Sequence, residues 1–355
     1  MESGGLAAAV SDLVEEEAAL LSGSQRQEIA ELILRDTVGL GPLEPLLADP
    51  DVEDILVNGP GEVYVERNGR VERVDVAFAS EAELRDAIER VLAPLGRRVD
   101  ELSPMADARL RDGSRVNVVI PPLAVDSPVL SIRRFAGTRP DLMRLGELGT
   151  LTPALRELLV ASVAARDSIL ICGGTGSGKT TLLNALSACI DPGERVITIE
   201  DAAELRLRLP HVVRLETRPA SIEGRGEVTI RDLLRNALRM RPDRIVIGEV
   251  RGPEALDLLV ALNTGHSGAL STVHANSPED ALRRLETLAL MAGIGLPHRA
   301  VAEQVCRGID LVVHLERGAG GARLARAAAR VECADGSIGV SEVWRWAGDS
   351  REQPR

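Results

Sequence analysis

Apolar and polar positions change rhythm along this chain. Over residues 51–135 short apolar runs are broken by turn signals: residues 55–57, 63–65, 71–78, 108–110, 115–120 and 129–135 read as strands. Asn68-Gly69 and Asp112-Gly113 predict hairpin turns within that series. Residues 80–92 have helical spacing, with Ser80 as the cap and Glu83 three residues on. This stretch is a small mixed α+β domain. Before it, in the segment 1–50, Ile29, Leu32 and Ile33 fall on one side of a helix over 27–34. Residues 1–25 are small, acidic and weakly patterned, either a mobile tail or a loosely attached helix. Residues 136–152 hold Gly137, Pro140, Gly146 and Gly149 and read as a linker and candidate hinge rather than a core element.

From 153 to 346 short apolar runs are separated by amphipathic stretches. Residues 168–172, 195–199, 244–247, 269–273 and 309–315 read as strands. Residues 179–190, 229–240, 253–262 and 278–291 read as helices, the last capped by Ser277 with Pro278 at its first position. Apolar strands alternating with helices predict an α/β domain on a mostly parallel sheet, with helices on both faces. Residues 318–321 form a glycine-rich loop, and 321–346 an irregular or strand-rich addition ending in Val343, Trp344 and Trp346.

Composition narrows the function classes. The 355 residues suffice for two cores, and with two Trp, one Tyr and two Phe those cores must be aliphatic. A net charge of −12 argues against wholesale nucleic-acid binding, and the scarcity of aromatics argues against base stacking. Cys172, Cys189, Cys306 and Cys333 are spaced for neither a zinc site nor a disulfide framework, which suits a reducing compartment. No apolar run approaches 18 residues, and no positive region precedes an apolar core near the N-terminus. Neither a transmembrane helix nor a signal peptide is expected, so any work at a membrane would need partners.

The most specific pattern is Gly173-Gly174-Thr175-Gly176-Ser177-Gly178-Lys179-Thr180, a glycine, four residues, then Gly-Lys-Thr. An apolar strand precedes it and an amphipathic helix follows. Backbone N–H groups at that helix start can face phosphate oxygens, and glycines allow the tight turn. Lys179 would reach the β- and γ-phosphates, and the Thr180 hydroxyl would hold magnesium. Thr181 completes the nucleotide-binding set.

Parallel sheets place functional groups at the carboxyl ends of their strands. Glu249 ends the strand at 244–247 and would polarise the attacking water directly or work through the magnesium shell. Glu200 ends the strand at 195–199 and either orients water at the metal or caps a loop. His274 follows the strand at 269–273 and is placed to sense the γ-phosphate, whereas His266 precedes that strand. Arg231, Arg235 and Arg239 share one helix face and call for a nucleotide or an acidic neighbour opposite. Arg133 and Arg134 end the last strand of the first domain, and Arg241 is a further candidate for offsetting transition-state charge.

Together the loop 173–180, the acidic box Ile199-Glu200-Asp201, the stretch 211–218, the run 236–243, Glu249 to Glu254 and the histidine box 264–276 resemble the secretion ATPase superfamily of type II and type IV systems. The likeness covers roughly residues 30–346 and looks closest to the tight-adherence pilus assembly branch. It implies a RecA-like P-loop domain behind a smaller sensory, PAS-like domain, a flexible connection acting as a hinge, and ATP with Mg2+ bound between the two. It further implies a homo-hexamer on the cytoplasmic face of the membrane, working on membrane-embedded platform proteins of a pilus or secretion system. By motif, Glu249, Glu200 and His274 fall at family catalytic positions, Arg235 and Arg239 in its arginine region, and Arg133 and Arg134 at nucleotide contacts of its first domain. Thr180, Glu249 and Glu200 fall at metal positions. The Cys-x-x-Cys pair carried by many type II members is missing, which argues against a type II exporter. A type IV secretion or conjugation motor, or a low-turnover ATP-dependent switch or scaffold, are the competing readings.

Overall fold

Leu84, Ala87, Ile88, Val91 and Leu92 recur at three- and four-residue intervals and are all buried, so residues 81–92 form a helix with one apolar stripe. The computed structural model describes residues 2–18, 20–37, 39–67, 69–110, 112–134, 140–218, 220, 225–318, 321–334 and 337–346. They fall into two units, Met1–Gly137 and Thr138–Arg355. The first contains helices α1 (Glu2–Glu17), α2 (Gly23–Thr37) and α3 (Glu44–Ala48), strands β1 (Val52–Asn58), β2 (Val63–Arg67) and β3 (Arg70–Arg73), helix α4 (Glu81–Leu92), and strands β4 (Met105–Arg109), β5 (Arg115–Val119) and β6 (Val129–Arg133). Its six strands form one antiparallel sheet in the order β3-β2-β1-β6-β5-β4. Alternation sends Ile55, Val57, Val63, Val65, Val116, Val118, Leu130 and Ile132 into the core shared with α4. The Ser80 hydroxyl accepts from the Glu83 N–H at 3.2 Å, the cap that the sequence predicts.

The second unit holds α5 (Leu142–Glu147), α6 (Pro153–Ala164), β7 (Ile169–Gly173), α7 (Lys179–Ser187), β8 (Val196–Glu200), β9 (Val212–Glu216), α8 (Ile230–Ala237), β10 (Arg244–Ile247), α9 (Glu254–Asn263), β11 (Leu270–Val273), α10 (Pro278–Leu290), α11 (His298–Gly308), β12 (Leu311–Arg317), β13 (Arg323–Ala334) and β14 (Ser337–Arg345). The sheet order is β14-β13-β12-β7-β11-β10-β8-β9. The strands from β12 to β9 are parallel, and β13 and β14 extend the sheet antiparallel. Every residue of β7, β8, β10 and β11 is buried, which is why these strands read as unbroken apolar runs. Ile169 and Ile171 join the core beneath α5, α6 and α7, while Leu170 and Cys172 join the one beneath α8, α9, α10 and α11. This is a two-domain architecture: a mixed α+β unit followed by a larger RecA-like α/β unit.

Of the two readings of residues 1–25, the structure has the attached helix: Val10 and Val14 of α1 bury against Ala30 of α2. The expected linker 136–152 belongs in good part to the second unit's core. Leu142, Leu145 and Leu151 pack with Leu155 and Leu159, and Thr150 O accepts from the Ala325 N–H at 3.0 Å. Leucines three apart outweigh the glycines there. The strand expected over 71–78 ends at Arg73. The addition at 321–346 forms the paired strands β13 and β14. Cys306 and Cys333 form a disulfide between α11 and β13, with a Cα–Cα separation of 5.8 Å. Tertiary packing rather than spacing brings these two together, so the expectation of unpaired cysteines fails. Asn68, Phe135, residues 136–139 and residues 319–320 lie outside the described residues.

Candidate active site

The loop 173–180 leaves the carboxyl end of β7 and enters α7, as the apolar run followed by an amphipathic stretch requires. Gly178 caps α7 with φ 94°, a backbone region that suits glycine. The Lys179 ammonium folds over the loop, donating to Gly173 O at 3.0 Å and Gly174 O at 2.8 Å. Burial lowers the Lys179 pKa, and the Glu249 carboxylate acts against that shift. The Ser177 hydroxyl is buried without a protein partner. A concave loop with an ammonium folded over its carbonyls and a spare buried hydroxyl fits the polyphosphate that the sequence predicts. Thr180 and Thr181 are half-buried in the first turn of α7.

Glu249 follows β10, two strands from β7 and separated from it by β11. His274 follows β11, so the parallel register carries both to the end of the sheet from which the loop springs. His274 Nε2 lies 3.0 Å from Glu249 Oε1. Burial, then the charge of Lys179, lowers the His274 pKa below the usual imidazole range. In its neutral Nε2–H form the ring donates to the carboxylate. The other oxygen of Glu249 accepts from the Arg251 guanidinium at 2.6 Å, and Arg251 also reaches Asp201 at 3.2 Å. Glu254, buried at the start of α9, accepts from the Arg251 and Gly252 N–H groups, each at 2.7 Å, and so fixes the turn after Glu249. Sequence reasoning missed Arg251 as a site residue. Its position two residues beyond Glu249 was visible, but its link to Asp201 exists only in the fold.

Glu200 takes the loop-capping alternative. It is 3% exposed, and its Oε1 accepts from the Glu204 and Leu205 N–H groups at 3.0 and 2.9 Å. Its Oε2 is buried without a partner, and burial raises its pKa to about 7. Both backbone contacts thus turn Glu200 toward its own following loop, the capping alternative to the expected metal role. Gly248 packs against it, since a Cβ there would lie 2.9 Å from Glu200 Cγ.

Of the expected arginines, Arg134, Arg231, Arg235 and Arg239 each have partners within their own unit. Arg231 and Arg235 on α8 both grip Asp257 of α9, at 2.6 and 2.7 Å, the acidic neighbour that their shared face called for. Arg239 donates to Arg235 O, and with Leu238 and Arg235 it lines an open cleft of about 510 Å³. Arg235 is thus held by α9 rather than by the phosphate loop. In the first unit Arg134 donates to Asp49 O and Val52 O, which ties it to the entry of β1. Arg133 stands opposite Asp54 in the β1–β6 ladder. His266 precedes β11 and so lies at the opposite end of the sheet from His274.

The family described as "Type II/IV secretion system protein" matches residues 36–344. The protein Rv3659c of Mycobacterium tuberculosis (strain ATCC 25618 / H37Rv), named for conjugal transfer, is 41% identical over 315 residues, covering 87% of this chain and 89% of the relative. The type IV secretion system protein PtlH of Bordetella pertussis is 40% identical over 315 residues, covering 80% of this chain and 91% of its own. The X-ray structure of the Legionella pneumophila ATPase DotB superposes with a TM-score of 0.58 at 23% identity, covering 80% of this chain and 78% of that one, a likeness of fold. With most of its length matched by the family and by relatives at this identity, the chain belongs to the type II/IV secretion system protein family.

Proposed function

We propose that this chain is a P-loop ATPase that hydrolyses ATP on the loop 173–180 and, as a ring of six copies, drives pilus assembly or protein secretion across the cell envelope. The observation that carries hydrolysis, beyond binding, is the Glu249 carboxylate held between His274 and Arg251 beside Lys179.

In this reading the N–H groups of the loop bind phosphate oxygens, and Lys179 exchanges the Gly173 and Gly174 carbonyls for the β- and γ-phosphates. Each Glu249 oxygen keeps a lone pair beyond its His274 or Arg251 contact and can accept a proton from water. The water oxygen attacks the γ-phosphorus as that proton passes to Glu249, the bond to the β–γ bridging oxygen breaks, and ADP and phosphate leave. His274 and Arg251 hold the carboxylate in place during the step. Magnesium, when bound, would neutralise phosphate charge, and the Thr180 hydroxyl with Glu249 through the metal's water shell is the set that would hold it.

Membrane-embedded platform proteins would receive the work, with the ring held peripherally on the cytoplasmic face. Among the described residues no helix is long and apolar enough to cross a membrane, which agrees with that arrangement. The finer assignment is the tight-adherence pilus branch, supported against a type II exporter by the missing Cys-x-x-Cys pair. A type IV secretion or conjugation motor is the second reading, favoured by relatives named for conjugal transfer and type IV secretion. Deleting the gene separates the two: loss of surface pili supports the first, and intact pili with lost conjugal transfer or effector export supports the second. Phosphate release by the purified oligomer tests the enzyme itself. Sustained turnover that Lys179→Ala abolishes is expected, and nucleotide binding without turnover would mark a switch or scaffold instead.

A further inference from the structure

Three glycines of the phosphate loop face the same neighbour. A Cβ on Gly173 would lie 2.3 Å from Leu315 O, one on Gly176 would lie 3.1 Å from an Arg317 guanidinium nitrogen, and one on Gly178 would lie 3.2 Å from Arg323 Cδ. Leu315 and Arg317 belong to the end of β12, and Arg323 starts β13. Arg317 and Arg323 are directly opposed in the β12–β13 ladder. Arg323 Nε also donates to Gly176 O at 3.3 Å. Strands β12 and β13 thus back the loop: the Leu315 carbonyl leaves no room for a side chain at Gly173, and the Arg317 and Arg323 side chains lie close behind Gly176 and Gly178.

The peptide after Gly176 presents its N–H to a ligand only while the Gly176 carbonyl points away. A donor behind the Gly176 carbonyl holds that peptide in the orientation needed, and it does so before ligand arrives. Two cations beside the apex also raise the local positive potential where a polyphosphate would sit.

We propose that Arg323, with Arg317 beside it, is a positioning residue for the phosphate loop: the β12–β13 hairpin forms the back wall of the nucleotide site and sets its affinity for the polyphosphate of a nucleoside di- or triphosphate. This inference rests on the nucleotide reading given above. It assigns the C-terminal hairpin a share in ligand binding as well as in extending the sheet.

ADP binding to the full-length protein, measured by titration calorimetry, tests it alongside steady-state hydrolysis of MgATP. Arg323→Ala should weaken ADP binding about tenfold and raise the KM for ATP by a similar factor, with kcat changed less than about twofold. Arg323→Lys keeps a donor and the charge and should recover most of that loss. The melting temperature should stay within a few degrees of wild type in both. An Arg323→Ala protein that binds ADP as wild type does would overturn the inference, and so would an Arg323→Lys protein as impaired as the alanine variant. Lys179→Ala serves as the control for the loop itself. If wild type binds no ADP, the nucleotide reading fails and this inference with it; if wild type binds, Lys179→Ala does not, and Arg323→Ala is unaffected, the inference fails alone.

Discussion

His274 Nε2 and Glu249 Oε1 lie 3.0 Å apart, the imidazole at the end of one strand facing the carboxylate at the end of the next. Burial and the charge of Lys179 both disfavour the imidazolium, which favours the neutral ring as the donor in this pair. His274→Ala should lower kcat by about tenfold or more by releasing the carboxylate, while ADP affinity stays within a few-fold. Single-turnover phosphate release checks this, and an unchanged kcat would remove His274 from the reaction.

Arg251 is more than half exposed, so its ion pairs contribute little to stability. Its work is to hold Glu249 and Asp201 together. Arg251→Ala should therefore leave the melting temperature almost unchanged and reduce kcat by about tenfold. A large loss of stability with normal turnover of the folded fraction would contradict this placement.

Glu254, itself buried, receives two backbone N–H groups through one oxygen in a part-exposed turn. Glu254→Ala strands both donors and should cost about 2–3 kcal/mol in denaturant unfolding. Glu254→Gln keeps the carbonyl acceptor and should cost distinctly less. Equal costs for the two variants would show that the hydrogen bonds are not the stabilising feature.

Glu200 links stability to pH. With its folded pKa raised to about 7 from an ordinary 4.5, the folded chain keeps a proton that the unfolded chain releases between those values. Its contribution is complete below about pH 4.5 and is lost as pH rises through about 7, by roughly 3 kcal/mol at most. Glu200→Gln keeps an acceptor for Glu204 and Leu205 and removes the titration. The stability of wild type relative to that variant should fall as pH rises from 4.5 to 7, and a constant difference over this range would show that folding leaves the Glu200 pKa unshifted.

Much of the second unit was legible because each signal was local. The run before Gly173, the Gly-Lys-Thr ending and the apolar strand before Glu249 each carry their own structure, and parallel topology then brings Lys179, Glu249 and His274 to one end of the sheet. Helix α11 escaped notice because Gly293, Gly295 and Pro297 mask its start, although Val301, Ala302 and Val305 have helical spacing. Helix α5 was hidden by Gly146 and Gly149 in the same way. The disulfide between Cys306 and Cys333, the bridge from Arg251 to Asp201 and the hairpin behind the phosphate loop depend on residues far apart in the chain, and no local pattern announces them. Glu200 shows a further limit: a carboxylate at a strand end reads the same whether it faces a metal or its own following loop.

The most direct measurement compares MgATP binding and hydrolysis in the purified full-length protein and in Glu249→Gln. The substitution keeps the side chain's shape and a carbonyl acceptor while removing its capacity to take a proton. The account predicts MgATP affinity within about threefold of wild type and hydrolysis slowed by about a hundredfold or more. Hydrolysis at the wild-type rate in Glu249→Gln would contradict it.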